Sequence, residues 1–150
     1  MAVWQFELFF IPEGTVEPVL SDEGWALPLI AEPSVVQAHA WLSSRFGAPW
    51  AMCEGILVFG AEDGNRIDLV VDHEGEAEMS ARIDARSEAN EFCGLIAELA
   101  TATDCKLFSP ELGRCLAGSQ SAVVTALTLS VAWNYAVDPK DTLRRLSGGG

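Results

Sequence analysis

The chain predicts an α+β domain: an antiparallel sheet containing a three-stranded meander, with three helices packed mainly on one face. Val3 to Ile11 alternates aromatic and branched residues as a strand does. Residues 56 to 84 hold short apolar runs separated by two turn signals. Apolar residues then recur at helical spacing in three separate stretches.

In the first strand Trp4, Phe6, Leu8 and Phe10 share one face and Val3, Gln5, Glu7 and Phe9 the other, so both are expected to be partly covered. Pro12 to Gly24 reads as an acidic loop, and Trp25 to Ile30 as a short edge strand interrupted by Pro28. Pro33 opens a helix in its first turn. Val35, Ala38, Leu42 and Phe46 form its apolar stripe until Gly47 and Pro49 stop it.

The meander's register follows from residue chemistry. Asp63-Gly64, between Glu62 and Asn65, signals a two-residue type I′ hairpin, whose central positions both need φ > 0. Val58 then lies opposite Leu69. Ile56, Val58 and Gly60 share the core face with Ile67, Leu69 and Val71, and Leu57 and Phe59 point outward. A loop of Glu74, Gly75 and Glu76 sets Val71 opposite Met79, Leu69 opposite Ala81 and Ile67 opposite Ile83. In that alignment Asp68 meets Arg82 and Arg66 meets Asp84, each pair worth about 0.2–1 kcal/mol, whereas a shift of one pair toward the turn would oppose Arg66 to Arg82.

Ser87 caps a helix from Glu88 to about Thr103 that buries Phe92, Ile96 and Leu99. Cys105 to Ser109 and Arg114 to Leu116 read as short strands. A long helix follows, from Ser119 or Ser121 to Val137. Leu116 to Val137 carries no charge, but Ser119, Gln120, Ser121, Thr125, Thr128, Ser130 and Asn134 interrupt it, so it reads as a core or interface helix and not as a membrane span. Residues 1–139 form one domain and residues 140–150, ending in three glycines, a flexible C-terminal tail.

Composition narrows the function. With 150 residues, 49% apolar and 21% charged, the chain is a single folded domain and not a disordered or fibrous one. Nine Lys plus Arg against 22 Asp plus Glu give a net charge of −13, a field that repels nucleic acid. Seventeen of the acids and only four bases (Arg45, Arg66, Arg82, Arg86) precede residue 92, and five of each follow. The first two thirds would therefore attract a protein with a basic surface.

Cys53, Cys93, Cys105 and Cys115 include no CxxC pair, so neither a metal site nor a cofactor is predicted. The start MAVWQFELFF lacks a basic n-region and a small-residue cleavage site, which points to the cytoplasm. There the four cysteines are expected to act as small buried hydrophobes.

No catalytic residue is assigned. His39 and His73 with Cys53 or Cys115 would suit a small cysteine/histidine-dependent hydrolase or transferase, but nothing in the sequence brings them together. Asp72 and Glu78 read as solvated turn carboxylates, and Glu62-Asp63-Gly64-Asn65 as a turn without the ligand spacing of a calcium loop. What remains is a surface: Leu57, Phe59 and Val70 among Asp68, Asp72, Glu74, Glu76 and Glu78 on the meander's outer face, a candidate partner-binding set. A third reading has the nearly uncharged last helix build a homodimer.

Several stretches carry a likeness: Trp4-Gln5-Phe6, Phe59 to Asp68 (FGAEDGNRID), Ala81 to Arg86 (ARIDAR) and Cys105 to Leu112 (CKLFSPEL). Together they resemble a group of small, uncharacterised bacterial acidic α+β proteins that look like immunity proteins of polymorphic toxins. The likeness spans residues 1 to 139. It implies a cytoplasmic α+β binder and leaves both partner and site open; the charge asymmetry and the absence of a catalytic signature add the expectation of an immunity protein that neutralises a basic toxin domain.

Overall fold

The computed structural model describes residues 1–148. It is an α+β domain built on a seven-stranded antiparallel sheet. The strands are β1 (Gln5–Pro12), β4 (Trp50–Cys53), β5 (Ile56–Gly60), β6 (Arg66–Val71), β7 (Ala77–Asp84), β8 (Cys105–Ser109) and β9 (Arg114–Leu116). Their order is β4-β5-β6-β7-β1-β8-β9, so the first strand of the chain lies inside the sheet, between β7 and β8. A separate two-stranded hairpin, β2 (Leu20–Ser21) with β3 (Gly24–Trp25), stands off it. The expected strand from Trp25 to Ile30 reduces to β3 and to a single bridge between Ile30 and Ala77.

The predicted three-stranded meander has a fourth strand, β4, whose four residues are all exposed and therefore show no apolar alternation. Among the described residues the three expected helices are five: α1 (Glu32–Phe46), α2 (Asn90–Ala102), α3 (Gln120–Thr128), α4 (Val131–Val137) and α5 (Pro139–Gly148). The long last helix breaks at Leu129 and Ser130. There the Ser130 hydroxyl donates to the Leu127 carbonyl and accepts the Trp133 N–H, which restarts the chain as a capped new helix. Residues 140–148, expected as a loose tail, belong to α5, where Asp141 pairs with Arg144 and Arg145 at i,i+3 and i,i+4. Gly149 and Gly150 lie outside the described residues.

One core holds the layers together. Phe6, Leu8, Phe10, Ile67, Leu69, Met79, Ala81, Ile83 and Leu107 on the sheet's inner face pack with Leu42 of α1, Phe92, Ile96 and Leu99 of α2, Val123 and Leu127 of α3 and Ala132 of α4. Helices α1 to α4 thus pack on the sheet's inner face, where three helices were expected, and α5 rests on α4. No helix among the described residues is long and apolar enough to cross a membrane.

Both hairpins depart from their predicted register. In the first, Leu57 pairs with Leu69, Phe59 with Ile67 and Gly60 with Arg66, which leaves residues 61 to 65 as the loop. The left-handed position falls at Gly60 (φ +112°) and not at Gly64; a Cβ on Gly60 would meet the Asn65 carbonyl oxygen at 2.4 Å. The loop is held from outside: Trp4 Nε1 and Gln5 Nε2 donate to the carbonyls of Asp63 and Gly64, and Asn65 Oδ1 accepts the Asp84 N–H. A one-residue slip turns the whole strand over. Phe59 accordingly enters the core at 1% exposure, edge-on to His39 of α1 with ring centroids 5.7 Å apart, and Leu57 packs against the core beside it.

In the second hairpin Leu69 pairs with Met79, Asp68 with Ser80 and Arg66 with Arg82, the arrangement that cross-strand charge alone disfavours. The inner face is unchanged, because the shift is by a whole pair. The opposition of two arginines is tolerated because Arg66 is neutralised along its own strand: its Nε and Nη2 donate to Asp68 Oδ1 and Oδ2 at 2.8 and 2.9 Å.

Candidate functional site

Helices α1 to α4 pack on the sheet's inner face, and the chemistry of the outer face changes along its length. At its centre lies a line of charge. Arg66 is 2% exposed, with its third contact made by Nη1 to the Glu62 carbonyl. Asp68, 6% exposed, also lies 3.8 Å from Arg82 Nη2, and Arg82 Nε lies 3.6 Å from Glu7 Oε2. Burial raises the Glu7 carboxyl above its usual range against the pull of Arg82, and the neighbouring carboxylates of Glu78 and Asp68 push the same way. Trp50 covers one end of this line, opposite Val58 in the ladder, with its ring centre 5.7 Å from the Arg66 guanidinium. Trp25 of the small hairpin covers the other end, edge-on to Phe108 at 4.9 Å.

Beyond this line, at the β6–β7 turn, the charge has one sign. Asp72 Oδ1 accepts the N–H groups of Glu74 and Glu76 at 2.9 and 3.0 Å, and the Asp72 N–H donates to the Glu76 carbonyl. This turns the chain and gathers the carboxylates of Asp72, Glu74 and Glu76 within 4.8 Å of one another. Gly75 sits at φ +83°, and a Cβ there would meet Glu32 Oε2 at 2.7 Å, so α1 brings a fourth acid to the turn. Glu32 was not foreseen: its approach is tertiary, and nothing in its local sequence marks it. Val70, 41% exposed, lies opposite the half-buried Glu78.

The candidate set of eight therefore divides. Val70, Asp72, Glu74, Glu76 and Glu78 gather at or beside the turn and reach solvent. Phe59 and Leu57 face the core because of the register slip, and Asp68 is buried in the ion pair with Arg66, so none of these three offers a docking group.

The cysteines are not uniformly interior, contrary to expectation. Cys93 and Cys105 are buried, Cys115 is half-buried on the edge strand β9, and Cys53 is exposed on the opposite edge, β4. Edge strands lack a neighbour on one side, and the alternation argument did not identify β4 as such an edge. Burial pushes the Cys93 thiol up to about 11 and raises Cys105 and Cys115 as well, against thiolate chemistry at neutral pH. His73 is 90% exposed beside Glu74, and His39 Nδ1 lies 3.4 Å from Ser43 Oγ on its own helix.

Comparisons of the chain with protein-family models, with curated proteins and with solved structures found no match.

Proposed function

We propose that this chain is a small acidic protein-binding domain that docks a partner through the partner's basic surface, in the manner of an immunity protein covering a toxin domain. One observation carries the reading: the fold separates its paired charges from its surplus. Arg66, Arg82 and Arg86 are engaged by Asp68, Glu7 and Asp84. The other fourteen acids before residue 92 are exposed or half-exposed, with Arg45 as their one remaining base in that span. Arg45 itself lies 3.5 Å over the Trp41 ring. An uncompensated acidic surface speeds encounter with a cationic protein and selects against anionic ones. The β6–β7 turn, with exposed Val70 beside it, is its densest part.

The product of the adjacent reading frame is the partner to test. Glu74→Lys, Glu76→Lys and Glu78→Lys together should weaken its binding about tenfold or more at low salt, and the difference should shrink as salt is raised. Affinity indifferent to these reversals at low salt would reject the electrostatic docking.

A further inference from the structure

The chain makes a nineteen-residue excursion between β1 and α1, from Glu13 to Ala31, with only the two-residue strands β2 and β3 in it. Loops beyond about 12–15 residues are uncommon in compact domains unless they have a task. Here the apolar residues face water: Val16 is 87% exposed, Val19 75% and Leu20 60%. Val16, Pro18 and Val19 on one side and Ala26, Leu27 and Pro28 on the other line an open groove of about 560 Å³.

The walls of this groove are fixed from both sides. On the first, Lys106 Nζ donates to the Thr15 carbonyl and the Cys115 N–H donates to Glu17 Oε1. On the second, Trp25 packs against Phe108, and Ile30 exchanges both backbone hydrogen bonds with Ala77, at 2.8 and 3.1 Å. A groove whose walls are already held loses little ordering entropy when it is filled. The charge of this excursion is one-sided as well: Glu17 lines the groove, Glu13, Asp22 and Glu23 belong to the same loop, no base lies between residues 13 and 31, and Lys106 is engaged by the Thr15 carbonyl.

We infer that this groove takes an apolar side chain presented by a basic segment of a partner protein. The inference rests on the acidic-binder reading and adds to it an apolar anchor, the element that concentrates binding energy where charge supplies encounter and selection. A second copy of the chain would bring the same acids against these, and an anionic lipid surface would be repelled by them.

The test titrates the full chain, labelled with nitrogen-15, with three amidated peptides: Lys-Lys-Leu-Trp-Leu-Lys-Lys, Lys-Lys-Ser-Gly-Ser-Lys-Lys and Glu-Glu-Leu-Trp-Leu-Glu-Glu. The first should shift amide signals between Thr15 and Pro28 and bind about tenfold or more tightly than either control. Val16→Ser with Val19→Ser, both on the surface, should abolish those shifts and leave the rest of the spectrum in place. Equal binding of the serine peptide would reduce the site to charge, and equal binding of the glutamate peptide would remove the charge selection; either overturns the inference. Shifts confined to residues 72 to 78 would also overturn it while leaving the acidic-binder reading intact, since that reading stands or falls with the adjacent-frame protein. Groove signals that move with protein concentration alone would assign the groove to a second copy and overturn it too.

Discussion

Two acidic regions lie on one side of the same ribbon and behave oppositely. In the middle of the sheet Asp68 is held between two arginines, and its removal would leave a buried guanidinium without a counter-charge. Four residues further along the chain, Asp72, Glu74 and Glu76 crowd together with the exposed His73 beside Glu74 and, among the described residues, no Lys or Arg in reach of a salt bridge. The residue types are the same and the surroundings differ. Where the sheet excludes solvent, the charges are paired with one another; where the chain turns back, they stay in water.

That contrast can be broken most directly at Asp68. Asp68→Ala should cost about 3–5 kcal/mol of folding stability in urea, because Arg66 stays buried and unpaired. A loss under about 1 kcal/mol would mean that the pair is ornamental. Phe59→Ala should cost a similar amount, about 3–5 kcal/mol, by opening a cavity between β5 and α1, whereas Val70→Ala on the outer face should stay within about 0.5 kcal/mol. The reverse result would restore the register expected from the Asp63-Gly64 signal.

Glu7 sharpens the comparison through pH. Its folded pKa is raised, so its contribution to stability is fully present below the unfolded value of 4.5 and is lost as pH rises through the folded value. Stability profiles of the parent and of Glu7→Gln should therefore diverge above pH 4.5, the parent declining and the variant flatter. Parallel profiles would show that Glu7 is not desolvated. The smallest effect belongs to the turn: Glu74→Lys should change stability by no more than about 0.5 kcal/mol, and in the stabilising direction, because it relieves like-charge crowding. A large destabilisation there would give the turn acids a structural part and erase the distinction.

Elements with strong periodicity were legible in the sequence: β1, β6, β7 and β8, the stripe of α1 and the buried face of α2 all lie where alternation or helical spacing puts them. Register was not, for a physical reason that differs between the hairpins. The rule that opposite charges pair across strands considers only facing residues, whereas Arg66 finds its partner two residues along its own strand. At the first turn the glycine that takes positive φ is Gly60, at the end of the strand, and not the more conspicuous Gly64. The break at Ser130 was hidden because Val124, Leu127, Val131 and Tyr135 keep helical spacing on either side of it. Of the acids gathered at the β6–β7 turn, those from Asp72 to Glu78 could be found because they fall within one short stretch, while Glu32 arrives from another element.

The interior position of β1 carries a kinetic consequence. Of the sheet's strands β1 is made first, and it must wait for residues 77 to 84 before one of its ladders can close and for residues 105 to 109 before the other can. Topologies dominated by distant pairings fold slowly, and their nascent strands meet neighbours before their own partners exist. Trp4 to Ile11, with three phenylalanines in eight residues, therefore stays an unpaired apolar stretch until those partners have been made.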